Sequence, residues 1–454
     1  MKFKLAVLVA IVALAMTPAV AFANSPGPLL SKAAAEDPAL AARLAELESD
    51  AQALGVDSVS DTQLKVLPDK SGVPQLMVTP QATTTGELRT LAILVDFSDH
   101  QNQVASTFFD DMLFADLFGP ASLRGYYREV SYGTASTRGL IDIVTVNSPS
   151  SLGWTRLPQS LAYYAGTEYG RGTYPNNSQK MVEDAIALVN SRVDFSQYDN
   201  DGDGYVDNVM VIHAGEGAEY NGPIANHIWS HAWATRTPIL CDGVYVWQYS
   251  TEPEYWATPG DMRPGVYAHE LGHTLGLPDL YDRDGTSSGI GEWSVMASGS
   301  WNGIYAYGDS PARMDAWSSA RLGWLQPQTA TGDAVSRSLP VVGSSRAASA
   351  WKVYPNRASS GSEYWMFENR QKTGTDSDIP GSGILVWHVD EAMLGTQNDN
   401  EAHKLVDLEE AAGTQSMDSK TDRGTAADPY PGTTNNRAFR ASSVPNSNRY
   451  SGAA

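Results

Sequence analysis

His269, Glu270, His273 and Asp279 fall within one segment, HELGHTLGLPD at 269–279. If its first five residues are helical, His269 and His273 share a face one turn apart, close enough to hold a single ion. Gly276 lets the chain turn sharply after the helix, and Asp279 then swings back as a third ligand. Two imidazoles and one carboxylate around Zn²⁺, with a fourth position for water, describe a catalytic site rather than a closed structural one. The metal lowers the pKa of its water, and Glu270 takes the proton. The competing carboxylate is Glu292. To present it, residues 280–291 (LYDRDGTSSGIG) would have to return as a helix, yet they contain three glycines and no apolar helical stripe. They read as a loop, which favours Asp279.

HExxH alone arises by chance in many chains, so its surroundings matter. Met296 follows in WSVMASG at 293–299. Metzincin proteases carry such a methionine-containing turn below their zinc. HELGHTLGLPDLYD resembles the zinc motif of the immune inhibitor A family of secreted bacterial metalloendopeptidases. So do LAILVDFSD at 91, LRGYYREVSYG at 123, YDNDGDGYVDNVMVIHAGEG at 198, IWSH at 228, SPARMDAWSSARLGW at 310 and YWMFENRQKTGTDSDIPGSGILVWHVDE at 364. The resemblance implies a metzincin-like fold, zinc with an aspartate as third ligand, structural calcium, and secretion as a zymogen. One position departs from the wider group. Several metzincins place a tyrosine two residues beyond the methionine, where it supports the transition state, and here that residue is Ser298. His231, Tyr305 and Tyr307 are the substitutes on offer, and the sequence does not choose among them.

The elements that must position this motif read as α+β: a protease domain at 86–330 with a mixed sheet and a zinc-binding helix, then a β-rich region at 331–454 that ends in a polar loop. Leu91–Phe97 and Val209–Ile212 are short apolar runs, hence buried strands. Residues 123–133 read as a helix closed by Gly133. Met181, Val182, Ala185, Ile186 and Val189 make one apolar helical face. Val244–Tyr249 has strand character and is the candidate edge on which a substrate backbone would add as an extra strand. Ser310 and Pro311 read as the start of a helix ended by Gly323. Trp351–Tyr354, Tyr364–Asn369 and Ile384–Val389 read as strands parted by turns. His388 and Asp390 share a strand face and read as a structural pair, as does His213 in its strand.

DNDGDGYVD at 199–207 places Asp199, Asp201, Asp203 and Asp207 at the spacing that opens a calcium loop, with Gly204 for the bend. Met210 stands where an EF-hand needs its final glutamate, so any ligand set is completed from elsewhere.

Residues 1–23 read as a signal peptide: Lys2 and Lys4, an apolar run from Leu5 to Met16, then Ala21-Phe22-Ala23 before the cut. Residues 24–85 read as a propeptide that blocks the cleft, with a helical pattern of Leu40, Leu44, Leu47 and Leu54 opened by Asp37-Pro38. It contains no cysteine to cap a zinc. The formal charge of −21 repels nucleic acid and anionic membranes. Cys241 is the chain's one cysteine, so stability rests on the core and on bound ions. Together these features describe an extracellular, monomeric zinc endopeptidase acting on protein or peptide substrates. The rival reading is a non-catalytic, calcium-stabilised extracellular binding protein with a relic HExxH.

Overall fold

The computed structural model describes residues 26–53, 64–68, 72, 74–78, 82–221, 226–332 and 336–452. Leu54 and the start of the Thr-rich stretch at 79–81 lie outside the described residues, as does the leader at 1–23. No helix among the described residues is long and apolar enough to cross a membrane.

The chain opens with α1 (Pro28–Glu36) and α2 (Pro38–Ala53). Asp37 starts the second helix, its carboxylate accepting from the amides of Ala39 and Leu40 at 2.9 and 3.3 Å. Leu30 and Leu44 are buried against Ala218 and Trp229, and the Gly27 amide donates to the Glu219 carbonyl at 2.8 Å. An antiparallel hairpin, β1 (Leu64–Pro68) and β2 (Pro74–Val78), follows. The Tyr205 hydroxyl donates to its Pro68 carbonyl.

Next in chain order come β3 (Gly86–Arg89), β4 (Leu91–Asp96), α3 (Ser106–Phe114), α4 (Leu123–Val130), β5 (Ile141–Val144), α5 (Pro149–Leu152), β6 (Thr155–Arg156), α6 (Leu161–Ala165) and α7 (Ser178–Val189). They are followed by β7 (Val209–Glu216), α8 (Ala218–Asn221), β8 (His231–Cys241), β9 (Val244–Tyr255) and α9 (Pro264–Thr274). Five of the strands form a sheet in the order β6-β4-β7-β9-β8, all parallel except β8. β4 and β7 are buried along nearly their whole length because helices cover both faces. Residue alternation then assigns the sides. Val209, Val211 and Tyr249 meet Met181, Val182 and Ile186 of α7. Met210 and Ile212 meet Val266 and Leu271 of α9 on the opposite face.

Val244–Tyr249 is not an edge. It lies in the first half of β9, paired with β8 on one side and bridged from Tyr245 to Tyr205 on the other, and β9 goes on from Ser250 to pair with β7. Asp242 and Gly243 have φ of 50° and 85°, the conformation of a two-residue hairpin turn that folds β8 back antiparallel against β9. The sheet edge is therefore β8. Cys241 ends that strand and is buried in the α7-side core, where burial pushes its thiol up to about 11.

The last elements are α10 (Ala316–Arg321), β10 (Gln328–Thr329), β11 (Ala350–Val353), β12 (Glu363–Arg370), β13 (Gly383–Asp390) and β14 (Val406–Leu408). The five strands form one sheet in chain order. α10 begins later than Ser310 and Pro311 suggest. Asp315 is its cap, accepting from the Ser318 amide at 2.9 Å. Residues 310–315 are kept out of the helix by bonds to a neighbouring segment: Ser310 Oγ to the Thr375 carbonyl at 3.1 Å and the Arg313 amide to Asp376 at 2.9 Å. Beneath them Arg370, fully buried, bonds Asp376 at 2.7 Å, Glu368 at 3.3 Å and the Trp293 carbonyl at 3.2 Å. Arg313 reaches the Glu129 carbonyl at 2.8 Å. Residues 409–452 run without helix or strand, pinned by buried Met417 and by an isolated bridge from Tyr430 to Ile384.

His388 and Asp390 do not pair with each other. His388 lies between Glu363 at 3.0 Å and Glu409 at 3.2 Å, and Asp390 bonds His403 at 2.9 Å. The Tyr450 ring stacks between the two imidazoles, 4.1 Å from each centroid. Burial pulls the His388 pKa down, but Glu409 and Glu363 outweigh it and hold the imidazole above its usual range. A raised histidine stabilises fully below its unfolded pKa of about 6.5, and that contribution is lost as pH climbs through the folded value. Melting curves of the full chain recorded from about pH 6 upward should therefore show a loss of stability that is missing in His388→Gln. An identical pH dependence in both proteins would remove His388 as its source.

Candidate active site

α9 is short and wholly buried, with Pro264 in its first turn, where a missing amide costs nothing. It ends at Leu275, and Gly276 takes φ 92°. The Gly276 amide donates to the His273 carbonyl at 2.9 Å and the Leu277 amide to the Gly272 carbonyl at 3.0 Å. This paired closure reverses the chain and satisfies the last helical carbonyls. It also brings Asp279 back to the helix.

The histidines are one turn apart with ring centroids at 4.7 Å. His269 Nδ1 lies 2.8 Å from the Val295 carbonyl, and His273 Nδ1 lies 2.9 Å from the Leu277 carbonyl. A carbonyl only accepts, so each Nδ1 carries the proton and each Nε2 presents a bare lone pair. The two Nε2 atoms are 3.1 Å apart, and Asp279 Oδ1 is 3.2 and 3.3 Å from them. Burial holds His269 below its usual pKa, which keeps the ring neutral. Three acceptors thus converge in a buried place. That donor set fits a divalent cation of borderline softness such as zinc, with too few protein ligands to close the shell. Glu270 is fully buried on the same helix and is not one of the three converging ligands.

The turn carrying Met296 closes the site from below. Val295 supplies the carbonyl for His269, and the Met296 carbonyl accepts from the Leu280 amide at 2.8 Å. Met296 fits because residue 272 is glycine: a Cβ there would collide with its sulfur. Two distant side chains brace the helix. Tyr127 of α4 donates to the Ala268 carbonyl at 2.7 Å, and Arg321 of α10 to the Gly276 carbonyl at 3.1 Å.

Glu292 sits in a short 3-10 turn, Gly291–Trp293, outside the metal group, and residues 280–290 contain no helix. Of the three residues offered as transition-state support, His231 is on the wrong face of the sheet. It pairs with Thr251, which lies level with Val211 on the α7 side. Its Nδ1 is 2.7 Å from the Trp229 carbonyl, and burial holds its pKa down to about 3. Tyr305 is 93% exposed on a loop, and Tyr307 packs on Tyr220 and Trp301. The ring that faces the site is Tyr281, which stacks on His269 at 6.0 Å and 27°. It stands two residues past Asp279, so a reading of alternate positions on an extended segment would have found it.

In the acidic loop, Asp199, Asp201 and Asp207 converge, and Asp203 stays outside the group. Its carboxylate instead accepts from the Tyr205 amide at 2.8 Å. Burial raises Asp207 to about 6 even though the amides of Asn200 and Thr83 bond it. A further acidic group unites Asp282, Asp284 and Glu401. Its D-x-D-G spelling repeats the pattern of the first loop, but Glu401 comes from far along the chain.

Residues 79–325 match the catalytic domain of immune inhibitor A peptidase M6. The chain is similar to Pre-pro-metalloprotease PrtV of Vibrio cholerae serotype O1, strains M66-2 and ATCC 39315 / El Tor Inaba N16961. Each is 29% identical over 310 residues, which is 57% of this chain and 32% of that protein. It is also similar to Immune inhibitor A of Bacillus thuringiensis subsp. alesti, 34% identical over 218 residues, or 41% of this chain and 29% of that protein. The aligned chain thus spans under a third of the length of these curated relatives.

Gly272→Ala tests the packing of Met296 under the helix. The added methyl forces the fully buried Met296 to shift, and overpacking of this kind costs about 1–3 kcal/mol. Thermal melts should show a lower Tm, and an unchanged Tm would mean that the turn yields freely.

Proposed function

Since this chain belongs to the immune inhibitor A peptidase M6 family, we propose that it is a zinc-dependent endopeptidase, secreted and held inactive by its own N-terminal segment. The observation that carries the reading is the convergence of His269 Nε2, His273 Nε2 and Asp279 Oδ1 within 3.3 Å of one another.

When bound by these three residues, zinc supplies Lewis acidity that polarises the scissile carbonyl and makes water a nucleophile near neutral pH. The chain supplies the proton traffic and the geometry. Glu270, next to His269 on the helix, accepts the water proton on its carboxylate and returns it to the leaving amine. His269 and His273 keep their lone pairs forward because the Val295 and Leu277 carbonyls hold the protons behind. The sheet order, with an antiparallel edge strand next to the strand that leads into the metal helix, supports a metzincin-like fold. β8 is then the strand beside which an extended peptide would lie.

Residues 24–85 are proposed as the prosegment. α1 and α2 lie against Trp229 at the start of β8. They also border a cavity of about 470 Å³ whose far wall includes Tyr281 and Ser298. A segment in that position obstructs the approach to the metal group by occupying space. The leader pattern at 1–23 supports export, and residues 86–330 and 331–454 are proposed as the catalytic domain and a β-rich region behind it.

Two substitutions separate the roles at the centre. Glu270→Gln should retain zinc and fold while casein hydrolysis by the activated protein falls about 10²- to 10⁴-fold, the usual worth of a general base. Asp279→Ala should lose zinc on dialysis, by more than the roughly 10- to 100-fold that removal of an outer-shell partner costs, and Glu292→Ala should keep it. Wild-type turnover in Glu270→Gln, or zinc lost from Glu292→Ala and kept by Asp279→Ala, would overturn the assignment.

Calcium is proposed for Asp199, Asp201 and Asp207, with Asp203 ordering the loop rather than binding. An ion held only by the folded state adds about 2.7 kcal/mol when present about 100-fold above its Kd. Removing calcium with a selective chelator should lower the Tm and hasten self-digestion. Asp203→Asn should keep most of the calcium response and Asp207→Asn should lose it. A melting curve indifferent to calcium would exclude the site.

A further inference from the structure

We propose that the apolar cradle formed by Ala218, Trp229, Trp233 and Tyr169 is a specificity subsite of the mature peptidase, one that receives a large aliphatic side chain of the peptide substrate. The inference rests on the reading of residues 24–85 as a removable prosegment.

The cradle belongs to the body of the protein, but its contents do not. Leu30 of α1 and Leu44 of α2 fill it, 2% and 4% exposed. Two separate helices thus deliver the same side-chain type to one place. Removal of these helices would uncover two indole rings and a tyrosine together, and an apolar patch of that kind marks a ligand groove more often than plain surface. The walls are rigid. Arg171 lies 4.8 Å over the Trp229 ring, the Trp229 amide donates to the Tyr169 carbonyl at 3.0 Å, and Trp233 is fixed in β8 opposite Tyr249.

Position points the same way. Trp229 and Trp233 flank His231, where the edge strand begins, and Trp233 shares the α7-side face with His231, so the cradle would meet substrate side chains that point to that face of an added strand. Leu44 and Tyr281 line the same cavity of about 470 Å³, and Tyr281 stacks on His269. The groups that Leu30 and Leu44 pack against are apolar or aromatic, which selects for leucine, isoleucine or methionine over polar residues.

The test uses the full chain loaded with zinc, nicked by limited proteolysis until casein hydrolysis is maximal, with cleavage sites in casein mapped by mass spectrometry. Large aliphatic residues should be enriched about tenfold at one fixed position from the cut, the lower end of what an apolar pocket provides. Trp233→Ala should flatten that enrichment while cleavage continues. A map without a fixed apolar position, or an enrichment that Trp233→Ala leaves intact, would overturn the subsite and spare the peptidase reading. Nicked protein that cuts nothing would overturn both. If Trp233→Ala shows no melting transition, wild-type protein decides with two synthetic peptides, residues 26–53 and the same peptide carrying Leu30→Ala and Leu44→Ala. The first should inhibit at least about tenfold more strongly, and equal inhibition would overturn the proposal.

Discussion

Two imidazole nitrogens and a carboxylate oxygen lie within 3.3 Å of one another where solvent scarcely reaches. Such acceptors repel one another unless a cation lies between them, so the fold must hold them by force from outside. The helix end does much of this. The turn at Gly276 that closes α9 also sends Asp279 back, and its next residue, Leu277, supplies the carbonyl that orients His273. Helix termination, ligand delivery and tautomer selection are one local structure.

The rest of the bracing comes from far along the chain. Tyr127 ties down the Ala268 carbonyl, Arg321 the Gly276 carbonyl, and the Met296 turn supports the helix where Gly272 leaves room. This explains why stretches distant from the histidines resemble the family's. LRGYYREVSYG supplies Tyr127 and Glu129, SPARMDAWSSARLGW supplies Arg313 and Arg321, and YWMFENRQK supplies Arg370. None of these residues is among the metal ligands, yet each fixes a backbone segment on which a ligand or its partner depends.

The metal group was legible in the sequence because its spacing is local. His269 and His273 are one helical turn apart, and a glycine marks the reversal before Asp279. Strands such as Leu91–Asp96 were legible because burial on both faces requires an unbroken apolar run. What failed was mostly non-local. The pairing partner of Val244–Tyr249 cannot be seen in its own residues, although Asp242-Gly243 spells a tight hairpin turn and could have revealed β8 as the edge. Ser310-Pro311 looks like a helix start, but bonds to residues 375–377 override that preference. The chemistry of His231 suits an active site, and only the strand register places it across the sheet from the metal helix. The Val295 and Leu277 carbonyls are backbone groups and leave no trace in residue identity.

Arg370 has a consequence for how the molecule comes apart. It stands on β12 of the C-terminal sheet, fully buried, and its partners include Asp376 and the carbonyls of Trp293 and Arg313. Glu368 and Asp376 would stay with it, but separation of the sheet from the metal-bearing half would break its bonds to the two carbonyls and leave buried polar groups unpaired, at about 1–3 kcal/mol each. A single apolar core also joins the two parts: Met366, Leu385 and Trp387 of the sheet lie in one buried cluster with Trp293, Val295 and Met296. The change from helix-rich to strand-rich sequence near residue 330 is a boundary of secondary-structure type, whereas the unit of cooperative unfolding crosses it and includes the sheet that the active centre never touches.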